Sequence, residues 1–287
     1  MIGSLILTYK HGLAVARGLH PSYNAIMFTV ENLRAKLPVG GLGEPLYFFS
    51  TIGSTSQYAR ELAEQGAPHG TLVVADEQTA GRGRGENRWS TPAESGIAFS
   101  LVLRPRRVPP EQLGGLNAVG ALAVVKAIRG LGGEAEIKWP NDVLIHGRKV
   151  SGILTEATWQ GNDLEGVVIG VGVNVRPESV PDPATLAFPA TCLETALGAE
   201  VDRCQLLLAI LGDLGETLGK LGSPALVQAW HTHLAFRGEK VRVDGPAGSL
   251  EGVLVGLTPR GFVELETAED GPTEIGAEGA SLRPIDS

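Results

Sequence analysis

The sequence predicts an α+β protein with a smaller all-β unit at its C-terminal end. Two observations carry this. Between positions 46 and 175, strand patterns outnumber helical ones but are interrupted by a long helical pattern, and two more helical patterns follow. After Ala235 the pattern changes to short alternating runs separated by glycine-rich turns.

Taken in order, the first forty residues have weak periodicity and are broken by Pro21, Pro38 and Gly40-Gly41. Residues 1–26 are expected to be loosely ordered, and Glu31–Leu37 to form a short helix. Leu46–Thr51 reads as a strand, and Ser54 or Thr55 can cap a helix running to about Gln65. Thr71–Asp76 and Gly96–Leu103 are strands, and Glu111–Leu131 is a long buried helix, apolar at helical spacing. Ala135–Trp139 is a strand. Asp142–Ile145 and Lys149–Thr155 form a hairpin turning at His146-Gly147, where glycine supplies the positive φ of a tight turn. Glu165–Val175 is a strand whose Gly170 and Gly172 mark close approach by a backbone or ligand. Helices follow at about 202–220 and 224–234. The runs Lys240–Val243, Ser249–Leu257 and Gly261–Thr267 suggest a small SH3-like β-barrel. The expected organisation is an extension over 1–43, a main unit over 44–234 and the small unit over 235–287.

With 43% hydrophobic and 20% charged residues, the composition is that of an ordinary globular chain. No apolar run approaches the roughly 20 residues of a membrane helix, so no membrane partner is expected. A net charge of −8 argues against a general nucleic-acid binder and tilts the partner toward a small molecule or a protein. Two cysteines, Cys192 and Cys204, without metal-ligand spacing point to a reducing, cytoplasmic setting. The histidines read as structural, and no pair has convincing ligand spacing.

Two clusters carry chemistry. Residues 81–88 place three arginines and three glycines in eight positions, directly after an apolar run, and Trp89 follows. Glycine lets backbone N–H groups approach an anion, and the guanidinium fork bonds phosphate oxygens in pairs. The alternative is a solvated surface loop. The second cluster is Lys138-Trp139-Pro140-Asn141-Asp142 with Lys149 and Gly152 beyond it. It is either a plain turn, since Pro, Asn and Asp favour turns, or a site giving Lys138 a phosphate and Asp142 a magnesium ion.

The motifs Gly81-Arg82-Gly83-Arg84 ending at Trp89, Lys138-Trp139-Pro140-Asn141-Asp142, Arg148-Lys149-Val150-Ser151-Gly152-Ile153-Leu154 and Gly170-Val171-Gly172-Val173-Asn174 occur in that order. Together they resemble the biotin protein ligase family over about residues 44 to 286. The resemblance implies a mixed sheet with helices on one face and an SH3-like C-terminal unit. It also implies a two-step reaction: biotin and ATP give biotinyl-5′-AMP, and the acyl group then passes to one lysine of a biotin carboxyl carrier domain. The acceptor would belong to a carboxylase of the acetyl-CoA carboxylase type.

By that resemblance, Ser54, Thr55 and Gln78 would hydrogen-bond the ureido head of biotin, although Ser54 and Thr55 equally suit helix capping. The family pattern is Ser-Thr-Asn, whereas this chain has Ser56 in the third place, and one hydroxyl cannot reproduce both ends of an amide. Gly152 and Gly170 would line the biotin slot, and the loop carrying Gly81, Arg82, Gly83 and Arg84 would close over biotin and phosphate. Arg88 reads as solvated. Trp89 would cover adenine, Asn141 and Asn174 would contact the nucleotide, and Asp142 would hold magnesium. Lys149 would bond the biotin carboxyl and later the acyl-phosphate, with Lys138 and Arg84 adding charge. No base for the acceptor lysine stands out, and edge-to-edge pairing into a homodimer stays open.

Rival readings are a lipoate or octanoate ligase or transferase, a non-catalytic biotin binder, and a biotin-responsive repressor. The last needs an N-terminal DNA-binding unit, for which the first 43 residues have prolines and glycines where helices are required.

Overall fold

A computed structural model describes residues 28–104, 113–160, 163–267 and 271–285. The expectation for residues 1–26 lies outside the described residues. After a five-residue helix α1 (Val30–Arg34), strands β1 (Leu46–Ile52), β2 (Leu72–Arg82), β3 (Arg88–Thr91), β4 (Gly96–Leu103), β5 (Ala135–Lys138), β6 (Asp142–Ile145), β7 (Arg148–Gln160) and β8 (Asp163–Asn174) build one sheet. Its order is β1-β2-β4-β8-β7-β6-β5, with β3 hydrogen-bonded to β2. Strands β1 and β2 pair in parallel across helix α2 (Thr55–Glu64), and every other neighbouring pair is antiparallel.

The two faces of this sheet are built differently. Alternate residues of β4 and β8 (Ile97, Phe99, Leu101, Leu103; Val167, Ile169, Val171, Val173) point to one face. Helix α3 (Leu113–Gly130) packs there, with α5 (Arg203–Leu218) and α6 (Pro224–Thr232) against it. By length and composition alone α3 could cross a membrane, but here it is a core helix with a mostly buried surface. The intervening residues point the other way. There Val73, Val102 and Val168 meet Ala59 and Ala63 of α2. The long helices therefore share one face, as expected, while α2 covers only part of the opposite one. The uncovered remainder is where the site lies.

A second sheet follows, formed by β9 (Lys240–Gly245), β10 (Gly248–Leu257), β11 (Val263–Thr267), β12 (Gly271–Ile275) and β13 (Ser281–Pro284). It is antiparallel with order β12-β11-β10-β9-β13, in keeping with the SH3-like unit expected from the alternating runs. Its core residues Val241, Val243, Leu254 and Leu282 join the main core without a break. The buried Trp139 indole N–H donates to the Gly261 carbonyl (3.0 Å), tying the turn before β6 to this sheet.

Two features differ from the sequence reading. Strand β2 runs on to Arg82, so half of the arginine-glycine segment is strand, because its backbone groups are paired with β3. Only residues 83–87 turn, closed by the Gly83 N–H donating to Asn87 O (2.8 Å). A short helix α4 (Leu193–Leu197), capped by Gly198 in the left-handed region, was not anticipated. The turn at His146 (φ 49°) and Gly147 (φ 69°) forms as expected.

Candidate active site

On the sheet face not covered by the long helices lies a cavity of about 530 Å³, within the ~300–1,000 Å³ usual for small-molecule sites. Its floor is a column of small residues. Ala98, Gly172, Gly152 and Asp142 are register partners across β4, β8, β7 and β6, and Asp142 is in turn opposite Lys138 of β5. Facing neighbours in such a column share one side of the sheet. A Cβ on Gly172 would come within 2.3 Å of the Trp89 ring, and one on Gly152 within 3.2 Å. The missing side chains are what let the Trp89 indole lie flat over the floor.

Lys149 reaches the same face through an irregularity. It stands three residues before Gly152, an odd separation that places two residues on opposite faces of a regular strand. The β6–β7 register slips here, pairing Val143 with Ser151 but Leu144 with Lys149. Val150 is the extra residue of the bulge, is fully buried in the helix-side core, and leaves Lys149 aimed at Asp142.

The result is a clamp. The Lys138 ammonium donates to Asp142 Oδ2 (2.7 Å), and Lys149 Nζ is 2.5 Å from Oδ1. Burial alone would push the Asp142 carboxyl up, but the Lys149 and Lys138 ammonium groups outweigh it and hold it below the usual carboxylate range. For Lys138, burial lowers the ammonium's pKa and the Asp142 carboxylate opposes the fall. The Lys138 side chain is 7% exposed and that of Lys149 28%, so Lys149 is the one presented to the cavity. Lys149 Nζ also sits 5.5 Å from the Trp89 ring centroid, and Lys138 Nζ 4.9 Å from that of Phe188.

Asp142, expected to hold magnesium, is paired with two lysines in this structure. Both carboxylate oxygens are engaged by ammonium groups, and among the described residues no group of three His, Cys, Asp or Glu side chains could hold a metal ion. Asp142 positions the two lysines, and its remaining lone pairs would serve a magnesium ion held jointly with nucleotide phosphates.

The hairpin β2–β3 supplies the wall. Arg84 also lines the cavity, and its guanidinium donates to the carbonyls of Ala277 (3.2 Å) and Ala280, which belong to the loop between β12 and β13 of the second sheet. Arg82 lines the cavity but is paired with Glu156 of β7 (3.0 Å), which also faces Arg60 of α2 (3.5 Å). Gly83 and the exposed Arg88 complete the hairpin rim. Gly81 does not line the cavity. A Cβ there would strike the Trp89 carbonyl at 2.3 Å and Gln78 Nε2 at 2.7 Å, so Gly81 shapes the wall rather than touching its contents.

At the other end the cavity is neutral and hydroxylated. Thr55 and Ser56, in the first turn of α2, meet Gln78 of β2 and Gly170 of β8. Gln78 Oε1 accepts from the Thr55 backbone N–H (2.8 Å) and from the Thr55 hydroxyl (3.0 Å). Behind them, buried Ser100 of β4 donates to Thr55 Oγ1 (2.9 Å) and lies 3.1 Å from Ser56 Oγ.

Ser54 and Asn174 are not brought to the cavity. Ser54 caps α2, accepting from the Gln57 N–H (3.4 Å), and Asn174 donates to the Thr191 carbonyl (3.1 Å). Asn141 lines the cavity, but its Nδ2 is spent on the Ile153 carbonyl (2.6 Å). Sequence reading passed over Ser100, Glu156, Phe188 and the 277–283 segment. Only Ser100 left a signal, as a hydroxyl inside the otherwise apolar run Gly96–Leu103.

Residues 48–174 match the family described as the biotin/lipoate A/B protein ligase family. The biotin–[acetyl-CoA-carboxylase] ligase of Mycobacterium tuberculosis is 33% identical over 228 residues, covering 76% of this chain and 82% of that protein. The chain belongs to the biotin protein ligase family. A further relative in this family, the bifunctional ligase/repressor BirA of Bacillus subtilis, is 35% identical over 243 residues, 83% of this chain and 74% of its own length. Among solved structures, the biotin protein ligase of Aquifex aeolicus in complex with biotin and ATP superposes with a TM-score of 0.73 at 31% identity. That match covers 84% of this chain and all of the other. Like other biotin protein ligases of known structure, this chain has the mixed sheet with helices and the C-terminal sheet.

Proposed function

We propose that this protein is a biotin protein ligase, joining biotin to ATP as biotinyl-5′-AMP and passing the biotinyl group to a lysine of a biotin carboxyl carrier domain. The observation that carries this reading is the polarity of a single cavity. One end offers neutral hydroxyl and amide groups suited to a ureido head; the other offers Lys149, Lys138 and Arg84. A ligand with a neutral polar head and an acid tail fits that order.

A carboxylate is a poor electrophile because its leaving group would be oxide. In the first step its oxygen bonds the α-phosphorus of ATP, the bond to the β-phosphate oxygen breaks, and pyrophosphate leaves. Two anions must approach, so fixed cations are needed to offset repulsion and to stabilise the charge on the phosphoryl oxygens. Lys149 would bond the acid and then the acyl-phosphate, while Lys138 would supply charge from behind. Asp142 fixes both ammonium groups before substrate arrives, which spares reorganisation during reaction. Magnesium held between Asp142 and the nucleotide phosphates would supply further charge against that repulsion.

In the second step the acceptor amine attacks the acyl carbon and AMP leaves. An unperturbed lysine, with a pKa of about 10.4, is neutral less than roughly one part in a thousand at pH 7. The adenylate must therefore be held and kept from water while it waits. The β2–β3 hairpin, with Trp89 over the floor and Arg84 anchored to the second sheet, serves as that cover. We place the reaction in the cytoplasm, where the two unpaired, buried cysteines suit a reducing setting.

The test is biotin-dependent exchange of pyrophosphate into ATP, followed by labelling of a purified carrier domain with radiolabelled biotin. Biotin should stimulate exchange and lipoate should not. Stimulation by lipoate alone would overturn the reading in favour of the lipoate ligases.

A further inference from the structure

The hydroxyls at the neutral end form a chain whose hydrogen positions follow from counting. The Thr55 backbone N–H can only donate, so the side-chain atom of Gln78 that it meets at 2.8 Å must be the carbonyl oxygen Oε1. The Thr55 hydroxyl, 3.0 Å from the same oxygen, must then donate to it as well. Its proton spent, Thr55 Oγ1 accepts from Ser100 at 2.9 Å. Ser100 has now used its single proton too. The contact between Ser100 Oγ and Ser56 Oγ at 3.1 Å can therefore have only one direction, with Ser56 donating. Every proton in the row points toward Gln78, and the backbone of α2 sets the direction.

Two groups are left facing the cavity with their polarity decided. Gln78 Nε2 has no partner among the described residues and is a pure donor. Ser56 Oγ has given away its proton and is a pure acceptor. It faces the cavity beside Gly170, where a Cβ would come within 2.5 Å of it. Ser100 is fully buried behind this surface and does not line the cavity.

We infer that Ser100 is a positioning residue that turns Ser56 into an obligate acceptor, so that the pocket reads a ureido N–H at Ser56 and the ureido carbonyl at Gln78. This rests on the biotin reading above and deepens it. A lone serine in the third place of Ser54-Thr55-Ser56 is ambiguous, since a free hydroxyl donates or accepts as its contents demand. The buried Ser100 removes that ambiguity and gives the serine a fixed hydrogen-bonding sense.

The probes are biotin and its two cyclic carbamate analogues, in each of which one ureido N–H is replaced by a ring oxygen. The wild-type protein should bind the isomer that sets an oxygen against Ser56 roughly 30-fold more weakly than biotin, in calorimetry and in kcat/KM for adenylate formation. Ser100→Ala frees the Ser56 proton. Biotin KM should rise about 5-fold at nearly unchanged kcat, while the penalty on that carbamate falls to about 3-fold. Ser100→Thr, which keeps a hydroxyl, should restore the penalty. Ser56→Ala should abolish it whether or not Ser100 is present, which keeps the inference testable if Ser100→Ala fails to fold. Equal weakening of biotin and carbamate by Ser100→Ala, or an unchanged penalty in Ser56→Ala, would overturn it. A wild-type chain that binds no biotin at all would sink the ligase reading along with this one, whereas intact biotin binding with an unresponsive penalty sinks this assignment alone.

Discussion

The two ends of the cavity solve opposite problems with different means. At the hydroxyl end nothing is charged, and selectivity comes from the number of protons available and the direction in which they point. At the clamp end direction matters less than balance, because two ammonium groups share one buried carboxylate and the cost of desolvation offsets their attraction. A proton-counted end rejects the wrong head group; a charge-balanced end lowers a barrier. Substitutions at the first should therefore register in KM and selectivity, and those at the second in kcat and stability.

The largest expected effect breaks the clamp end. Lys149→Ala removes the more exposed clamp ammonium, and kcat for adenylate formation should fall about 10²–10³-fold with biotin KM changed far less. Pre-steady-state measurement of pyrophosphate release checks this, and a change confined to KM would erase the contrast between the ends.

Asp142→Asn tests the balance itself. With its carboxylate gone, buried Lys138 faces a neutral amide, and the protein should lose about 3 kcal/mol at neutral pH. The sign of the pH dependence follows. In the native protein the depressed Asp142 contributes stability present above the ordinary carboxylate pKa and lost as pH falls through its lower folded value. In the variant that acid-side contribution vanishes, and the Lys138 pKa, already lowered by burial, drops further. The unfolded chain then binds the extra proton, so stability should climb with pH toward about 10.4. Urea midpoints across pH measure both limbs.

Arg84→Gly sharpens the comparison from the roof. Without the bonds to Ala277 and Ala280 the hairpin loses its tie to the second sheet, and bound adenylate should escape about tenfold faster. Filter retention of labelled adenylate, together with non-selective labelling of bystander proteins, reports this.

The smallest effect falls just outside the neutral end. Ser54→Ala should lower stability by about 1 kcal/mol through the lost helix cap and leave biotin KM alone. A rise in KM matching that of Thr55→Ala would return Ser54 to the site.

Much of this was legible in the sequence. The alternating runs placed most of the strands, and β4 runs over the predicted Gly96–Leu103. The His146-Gly147 turn and the helix after Ser54 also formed where local rules put them. What local rules miss is pairing. Strand β2 continues through Gly81 and Arg82 because β3 lies beside it, and propensity alone gives no reason to extend a strand through glycine and arginine. Lys149 and Asp142 were both singled out, but their mutual contact depends on a bulge that alternation cannot foretell. A lone carboxylate in a turn also gives no sign of the two ammonium groups that reach Asp142. Phe188 and the Ala277 and Ala280 carbonyls come from segments without any regular pattern.

The Trp139 indole sits inside the motif that carries Lys138 and Asp142, yet its proton goes to Gly261 in the second sheet. Parting the sheets would break that bond and expose the shared core to water. Melting should consequently be cooperative across both sheets, with one calorimetric peak whose van't Hoff and measured enthalpies agree.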